Sequence, residues 1–590
     1  MNKIAKCLAL CWLIPFTVKA GTEKRNLPPK KIYVSPAGND SGAGTAVKPL
    51  RSITKAVAKA LPGDHILVMD GVYRESVLFT HGGSAENNRI TLQAINPQKV
   101  VIKGSERKLN WVKEKNKLWK CILDKPAEQI MLFSSGIKLP RVQSAGDCAQ
   151  ALSWTDKADQ RKMIIWANFG TADPNRQLTE IAIRQYGISA KENVDYITIK
   201  GISVSQVANE YASIYGIQPG AIDTKGGKYW NIENCKVTDC RSVGISIGKT
   251  GHVYEDANAG QPEFCDYTDL SLVGHHKINN NHVSRCGQAG IFGLLGATSS
   301  LIKDNLIEYI NYDREYSGTE SAGIRLAMAV DAIIEHNLIR QVRGKNSYGV
   351  FLGPVFQGAR ASRNIVTNSE SGLFYLFKNH GPSLFDNNIL VGNNNQATHD
   401  SAGVKMMAAE ANVFVQNLFY NCGFTNNCQP GKSVATSNFL PNTLIIKQTI
   451  PALNIDHRWY GNLFIGKGIG IASVAGCEAD FNLYTNGAVP VKWADFKSIK
   501  SEKNISLRLL HSKDGIKLVW DNSAMAANRI PSLTADFFGF FALSKQYISS
   551  PDGKKINIDH DFLNNKTSSS IRFAGPFYQK NKSKGNIKLF

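Results

Sequence analysis

After residue 20 the 590-residue chain has no apolar run approaching the roughly 18 residues that a membrane helix needs, so no membrane span is expected. Metal ligands are not clustered either. Its 11 cysteines and 12 histidines show no zinc spacing, and no acidic group has the pattern of a calcium loop. The sequence therefore implies neither a metal nor a cofactor. Negative charge is scarce, with 48 Asp and Glu against 69 Lys and Arg and a formal net charge of +21. The basic residues are spread along the chain rather than gathered in a stripe, which argues against nucleic acid. A solvated basic surface remains, or an acidic partner such as a uronate polymer or lipopolysaccharide.

Met1–Ala20 reads as a secretory signal: Lys3 and Lys6 precede the apolar Cys7–Phe16, and Val18-Lys-Ala20 is an acceptable cleavage site. Its removal takes away three lysines and leaves a net charge of about +18, on a protein expected to be secreted or periplasmic. Nine cysteines remain, so at least one is unpaired. Cys422 and Cys428, flanking an Asn-rich loop, are the expected disulfide.

Six segments from residue 278 onward read almost alike: Ile278-Asn-Asn-Asn-His-Val, Ile302-Lys-Asp-Asn-Leu-Ile, Ile334-Glu-His-Asn-Leu-Ile, Ala361-Ser-Arg-Asn-Ile-Val, Phe385-Asp-Asn-Asn-Ile-Leu and Phe414-Val-Gln-Asn-Leu-Phe. Their shared Asn falls at 281, 305, 337, 364, 388 and 417. Such a period predicts a right-handed parallel β-helix, an all-β solenoid of short-stranded coils that bury their apolar faces only by stacking. Inward Asn amides at each bend would bond one another from coil to coil. Asn462 and Asn482 extend the row. Cys235 stands where a ladder Asn is expected, as a small buried apolar residue.

Taken in order, residues 21–104 give an N-terminal cap, with helical spacing over Pro49–Leu61, and the first coils. At 105–189 the ladder Asn is missing and Trp111, Trp119, Trp154 and Trp166 cluster, which predicts an inserted β-sandwich. Most of these rings belong to a core, and one or two could face a sugar. Residues 190–486 continue the solenoid, with a long polar excursion over Thr250–Leu272. Residues 487–590 lack ladder repeats and are expected to pack along its outside.

Several stretches then carry a family resemblance: Ile165-Trp-Ala-Asn-Phe-Gly-Thr-Ala-Asp-Pro-Asn, Trp230-Asn-Ile-Glu-Asn, Gln288-Ala-Gly-Ile-Phe-Gly, Gly318-Thr-Glu-Ser-Ala-Gly-Ile-Arg-Leu, Asn379-His-Gly-Pro and Asp456-His-Arg-Trp-Tyr-Gly-Asn. In this order they resemble the β-xylosidases of glycoside hydrolase family 120 over nearly the whole mature chain. The resemblance implies a right-handed β-helix with an inserted β-sandwich, and retaining hydrolysis by two carboxylates about 5 Å apart. Adjacent coils supply that spacing, because in-register neighbours lie about 4.8 Å apart. The family's Asp and Glu positions correspond here to Gly353 and Phe377, so the pair is absent. Counting eleven residues back from each ladder Asn continues this row as Leu294, Leu326, Gly353, Phe377 and Met406.

Glu320 matches a family Glu in the Gly318 segment and is the best remaining acid. Arg360 matches a family Arg in Gln357-Gly-Ala-Arg. The candidate catalytic residues are Glu320, His380 and Lys378, with Arg325, Arg360, Tyr375, Asp456 and His457 as candidate substrate contacts. Three functions are open. A glycosidase-type enzyme would use Glu320, Asp386 or Asp456 in place of the missing pair. A lyase or epimerase on uronate glycans would use Arg325, Arg360, Lys378, Tyr375 and His380, since such chemistry needs a neutralised carboxylate and a base. A non-catalytic glycan-binding protein would suit the apolar row. The expected partner is an oligo- or polysaccharide, and a homo-oligomer is compatible with the sequence.

Overall fold

The computed structural model describes residues 28–590 apart from 116, 150–151, 160, 214–217, 250–268, 319, 393–401, 427–434, 472–474, 513–514, 522–529, 543, 568–571 and 579–583. The proposed signal, Cys265, Cys428 and most of the 250–272 excursion lie outside the described residues.

Three long parallel sheets run the length of the molecule. The first and second have thirteen strands each, beginning at Lys31–Val34 and Gly71–Tyr73, and the third has ten, beginning at Val77–Phe79. Each turn of chain contributes one strand to each sheet in register with the coil below, as in Ile278↔Ile302 and Val283↔Ile307. This is the right-handed β-helix that the Asn period predicts. Inward Ile, Val, Leu and Phe from all three sheets form one continuous core.

The Asn ladder fixes the bend between the first and second sheets. Each Asn Nδ2 donates to the Oδ1 of the next Asn, at 2.9–3.1 Å, from Asn281 through 305, 337, 364, 388, 417 and 462 to Asn482. Each also donates to a backbone carbonyl of the coil before, as Asn337 does to Ile302 O at 2.9 Å. The ladder is closed at both ends. Cys235 N donates to Asn281 Oδ1 at 2.9 Å, while Asn482 Nδ2 donates to Asp495 Oδ1 at 3.0 Å and Asn482 N to Ser498 Oγ at 2.8 Å. Residues just before the ladder Asn (Asn280, Asp304, His336, Arg363, Asn387, Gln416 and Phe481) have φ between 51° and 58°. His, Arg and Phe rarely adopt this left-handed conformation, and the buried amide network holds them in it.

Near the start of third-sheet strands Gly244, Gly290, Gly323 and Gly349 stack. A Cβ on any of them would lie within 2.8 Å of the next coil's carbonyl and within 2.6 Å of a core Val or Ile side chain. This close approach accounts for the Gly before Ile245, Ile291, Ile324 and Val350.

The capping helix is shorter than the apolar spacing suggested. It spans Ile53–Lys59, because Ser52 caps it and Ala60 is already extended. Residues 105–182 form two four-stranded antiparallel sheets around Trp111, Trp154, Leu132 and Ile165. The C-terminal segment lays Leu507, Leu518, Trp520, Phe538 and Phe541 against solenoid residues such as Leu338, Ile365 and Leu418. Cys422 is buried in the core, and its expected disulfide partner Cys428 lies outside the described residues.

One buried carboxyl gives the fold a pH response. Asp331 is 1% exposed and accepts a hydrogen bond from Asn442 Nδ2 at 3.1 Å, and burial pushes its carboxyl up to about 7. A raised folded-state value means that the native state favours the neutral acid. Stability is therefore greatest below the ordinary Asp range and falls as pH climbs through about 7. Melting temperature is expected to drop between pH 5 and 8, by the equivalent of a few kcal/mol, and Asp331→Asn is expected to flatten that slope. An unchanged slope in the variant would assign the pH dependence to other groups.

Candidate functional site

The outward face of the third sheet gathers the largest group of candidate residues. In the strands Ala322–Ala327, Tyr348–Leu352, Gly372–Asn379 and Ala402–Ala409, alternate residues Ile324, Val350, Phe374 and Val404 point into the core. The residues between them stack in register outside: Arg325, Phe351, Tyr375 and Lys405. The Arg325 guanidinium lies 3.7 Å from the centroid of Phe351, Phe351 and Tyr375 have centroids 4.4 Å apart, and Lys405 Nζ is 5.1 Å from the Tyr375 ring. Two aromatic rings are thus clamped between two cations, an arrangement favoured by the ring quadrupoles. Burial pushes the Tyr375 phenol up to about 12, against the pull of Arg325.

Arg325 anchors this column. It is 1% exposed, its Nε donates to Glu320 Oε2 at 2.8 Å, and its Nη1 donates to the carbonyls of Leu326 and Gly353. Glu320 is therefore held at the edge of the sheet with its carboxylate oriented by a buried guanidinium.

Gly353 and Phe377 stack on adjacent coils as the 24-residue step requires: a Cβ on Gly353 would lie 1.9 Å from Phe377 O. Leu294 belongs to the same row, paired with Ala327, while the expected Leu326 and Met406 slip by one residue. Register places Ala327 and Met407 beside them, whereas Leu326 and Met406 pair with Leu352 and Leu376 and point into the core. The eleven-residue count fails because the bends between sheets differ in length. The Leu294–Ala327 end of this row lies under a hairpin, Ala435–Phe439 with Ile446–Pro451, whose Phe439 packs with Leu444 on Leu294, Ala327, Met328 and Val355. Gln357 pins the hairpin by bonding both the carbonyl and the N–H of Phe439, at 2.8 and 3.0 Å.

The other sequence candidates are dispersed. His380 is fully buried, with Nδ1 2.7 Å from Glu410 Oε2 and Nε2 3.1 Å from Ile450 O, so it joins the solenoid to the hairpin. Arg360 is not beside Arg325. The bend at Gly358 (φ 65°) carries it to the first sheet, where it makes a two-point ion pair with Asp386 at 2.7 and 2.9 Å. Asp386 is fully buried, and Asp456 is buried against Arg458 at 3.0 Å. His457 is fully buried, its Nδ1 accepting from Asn412 N at 3.3 Å, and burial pushes it down to about 3. Lys378 lies with Nζ 5.3 Å from the Phe377 ring centroid. Of the candidates, Glu320, Arg325, Tyr375 and Lys378 share the third-sheet face.

Tertiary structure adds residues that the sequence reading passed over. Tyr211, 43% exposed, lies beside Glu320; burial and then the Glu320 charge push its phenol up to about 12, against Arg325. Its ring stacks on Tyr316 with centroids 5.8 Å apart, and Tyr316 Oη accepts from Arg241 Nη1 at 3.2 Å. Next to Tyr211, Glu210 faces the carboxylate of Glu128 of the insert. That contact, with burial and the Glu128 charge, raises the Glu210 carboxyl above its usual range, against Lys225 and Arg241. Glu128 and Arg241 line a groove of about 690 Å³ between insert and solenoid. Lys138 crosses it, donating to Asp313 at 2.8 Å and Glu315 at 2.7 Å of the same chain. Glu210 sits shortly after a coil strand, a position where groove residues concentrate. Glu128 had no local signal at all.

Comparison with known proteins agrees with the β-helix fold. Residues 220–390 match the model of the right-handed beta helix region, and residues 47–113 that of chondroitinase B. The structure of XylC in complex with xylose aligns over 95% of this chain and 100% of its own, at 25% identity and a TM-score of 0.83. This chain resembles the β-helix xylosidases in its whole fold. A second glycoside hydrolase structure covers 68% of the chain at 13% identity and a TM-score of 0.51, a likeness of fold alone. Among curated sequences, YwoF of Bacillus subtilis is 36% identical over 73 residues and pectate lyase PEL9 of Emericella nidulans 39% over 77. These two matches span 15% and 18% of the relatives' own lengths. The glycoside hydrolase-like β-helix is thus carried by the XylC likeness, whose aligned span includes both insert and solenoid.

Proposed function

We propose that the protein is an exported glycosidase-type enzyme with a divergent site, acting on uncharged glycosides. The charge balance at the candidate cations carries this reading. Arg325, Arg360 and His380 each face a carboxylate, Glu320, Asp386 and Glu410 respectively. A uronate substrate needs cationic charge to spare, and at these three positions that charge is already matched by acids of the chain, while Lys405 of the column meets the hydroxyl of Tyr348 and the ring of Tyr375. Export is supported by the Lys3, Lys6, Cys7–Phe16 and Val18–Ala20 pattern.

In this reading Glu320 takes a proton from a water that attacks the anomeric carbon. Glu210 gives the proton it shares with Glu128 to the departing glycosidic oxygen, so one bond is hydrolysed and both protons are accounted for. Tyr211 follows Glu210 in the chain, lies beside Glu320, and offers a phenol that stays protonated. The apolar Gly353–Phe377 step favours one other reading, a glycan-binding protein without turnover.

Incubation with xylo-oligosaccharides is expected to release reducing sugar, and incubation with uronate polymers to give no unsaturated product. Unsaturated uronate would overturn the reading in favour of a lyase. Binding without release would leave the non-catalytic protein.

A further inference from the structure

Part of the chain's basic excess gathers at one end of the solenoid. Residues 28–60 hold six bases, Lys30, Lys31, Lys48, Arg51, Lys55 and Lys59, against one acid, Asp40, a net +5 where the whole chain carries +21 over 590 residues. All six bases are exposed. Among the described residues the first base along the chain to pair with a carboxylate is Arg74, so these six stand outside the ion pairs. The nearby acids are held by amides instead. Asp40 accepts from Arg51 N, Ser52 N and Ser52 Oγ, each at 2.9 Å, and Glu75 accepts from Ile53 N at 2.9 Å and Thr54 N at 2.8 Å. The fold brings the cations to a common face. Strand Lys31–Val34 is the outermost of the first sheet, and the loop after it lies along its edge, with Tyr33 N donating to Gly44 O at 2.8 Å and Leu50 N to Tyr33 O at 2.9 Å. The helix Ile53–Lys59 buries Ile53, Ala56 and Val57 and turns Lys55 and Lys59, one turn apart, outward. Lys59 Nζ reaches back to Gly42 O of the loop at 3.3 Å. From the same loop Val47 projects, 88% exposed.

From this we propose that the N-terminal end of the solenoid docks on an anionic phospholipid surface. Each Lys or Arg brought close to such a surface strengthens attachment about fivefold. The attraction fades within a Debye length, about 8–10 Å, so only clustered and solvent-facing cations add to it. Bases already paired with an acid, as Arg89 is with Glu86, contribute little. The six cations come from a strand, a loop and a helix, and an array of that breadth matches a plane of phosphate headgroups better than one polyanionic strand. Val47 is placed to enter the headgroup layer beside Lys48. The third sheet runs along the solenoid and not across its end, so docking by the cap leaves Glu320 and its neighbours open to solution.

Vesicle sedimentation of the chain from Gly21 onward, the form left by cleavage after Ala20, tests the docking. At about 0.05 M salt the protein is expected to sediment with vesicles of equimolar phosphatidylcholine and phosphatidylglycerol but not with phosphatidylcholine alone, and to be released at about 0.5 M salt. Lys48→Gln, Lys55→Gln and Lys59→Gln together are expected to weaken partitioning about a hundredfold at an unchanged melting temperature, since all three side chains are exposed. Removing three exposed charges elsewhere, by Lys345→Gln, Lys467→Gln and Lys503→Gln, is expected to leave partitioning within about twofold. No sedimentation with the anionic vesicles, undiminished binding in the cap variant, or an equal loss in the second variant would overturn the docking surface. Cap-dependent binding to soluble heparin without sedimentation on vesicles would overturn the lipid partner in favour of a polyanionic chain.

Discussion

Asn337→Ala is expected to destabilise the solenoid more than any single change to the site. Asn337 Oδ1 accepts from Asn305 N and Nδ2 at 3.0 and 2.9 Å, and its Nδ2 donates to Ile302 O at 2.9 Å and Asn364 Oδ1 at 3.0 Å. The residue is fully buried, so neighbouring groups freed by the substitution meet no water. Each buried group left unpaired costs about 1–3 kcal/mol, and at least two are stranded. Against a typical total stability of about 5–15 kcal/mol, this is a large fraction. His336, at φ 51°, also loses the network that holds its bend. Soluble yield and melting temperature are the measurements. Asn337→Asp separates hydrogen bonding from volume: it keeps the shape but removes the donors to Ile302 O and Asn364 Oδ1, and it is expected to fare no better than alanine. A tolerated aspartate would show that filling the space matters more than the amide.

Glu320→Gln is expected to produce the largest functional effect. The amide keeps the shape and an oxygen for Arg325 Nε, so the buried guanidinium retains a partner and the fold is preserved. The carboxylate's capacity to take a proton is gone. Loss of a general base lowers the rate roughly 100- to 10,000-fold. Hydrolysis of xylo-oligosaccharide at matched melting temperature measures it, and a rate within tenfold of the unaltered protein would remove Glu320 from the chemistry. Glu128→Gln tests the other acid through pH. Glu210 holds its proton to higher pH because it shares it with Glu128. A raised acid is active below its titration point and is lost as pH rises through it. Glu128→Gln removes the sharing, so the alkaline fall in rate is expected to move to lower pH, while a merely structural Glu128 would leave the profile in place.

The Leu294–Ala327 end of the apolar row has a structural counterpart in the hairpin 435–451. Phe439 and Leu444 occupy the outward surface of Leu294, Ala327 and Val355, where charged residues would be buried without partners. His380 has a related role: its position in the Asn379-His-Gly-Pro segment suggested chemistry, while its two ring contacts tie the solenoid to Glu410 and to the hairpin strand at Ile450.

The fold was legible from one dimension because a solenoid is nearly periodic. A ladder Asn needs its neighbours one coil away, so the same residue recurs at each coil and marks the bend, and Cys235 could be placed at its end from the same pattern. The pairing of Gly353 with Phe377 followed from a 24-residue step between successive ladder positions. Positions that lie across an irregular bend from their ladder Asn slipped by one, which exchanged inward Leu326 and Met406 for outward Ala327 and Met407. Which charges meet was not legible. Arg325 and Arg360 look equivalent in the sequence, but a bend at Gly358 sends them to different sheets and different carboxylates. Glu128 and Glu210 are 82 residues apart, and Lys138 meets Asp313 and Glu315 across a still longer separation. Strand period and ladder spacing are local properties that recur along the chain, so the sequence by itself determined the β-helix and the row beside which the site lies. The groove's acids come half from the insert (Glu128, Asp156) and half from the solenoid (Asp313, Glu315), which meet only through tertiary packing, so the structure alone decided which charges are matched.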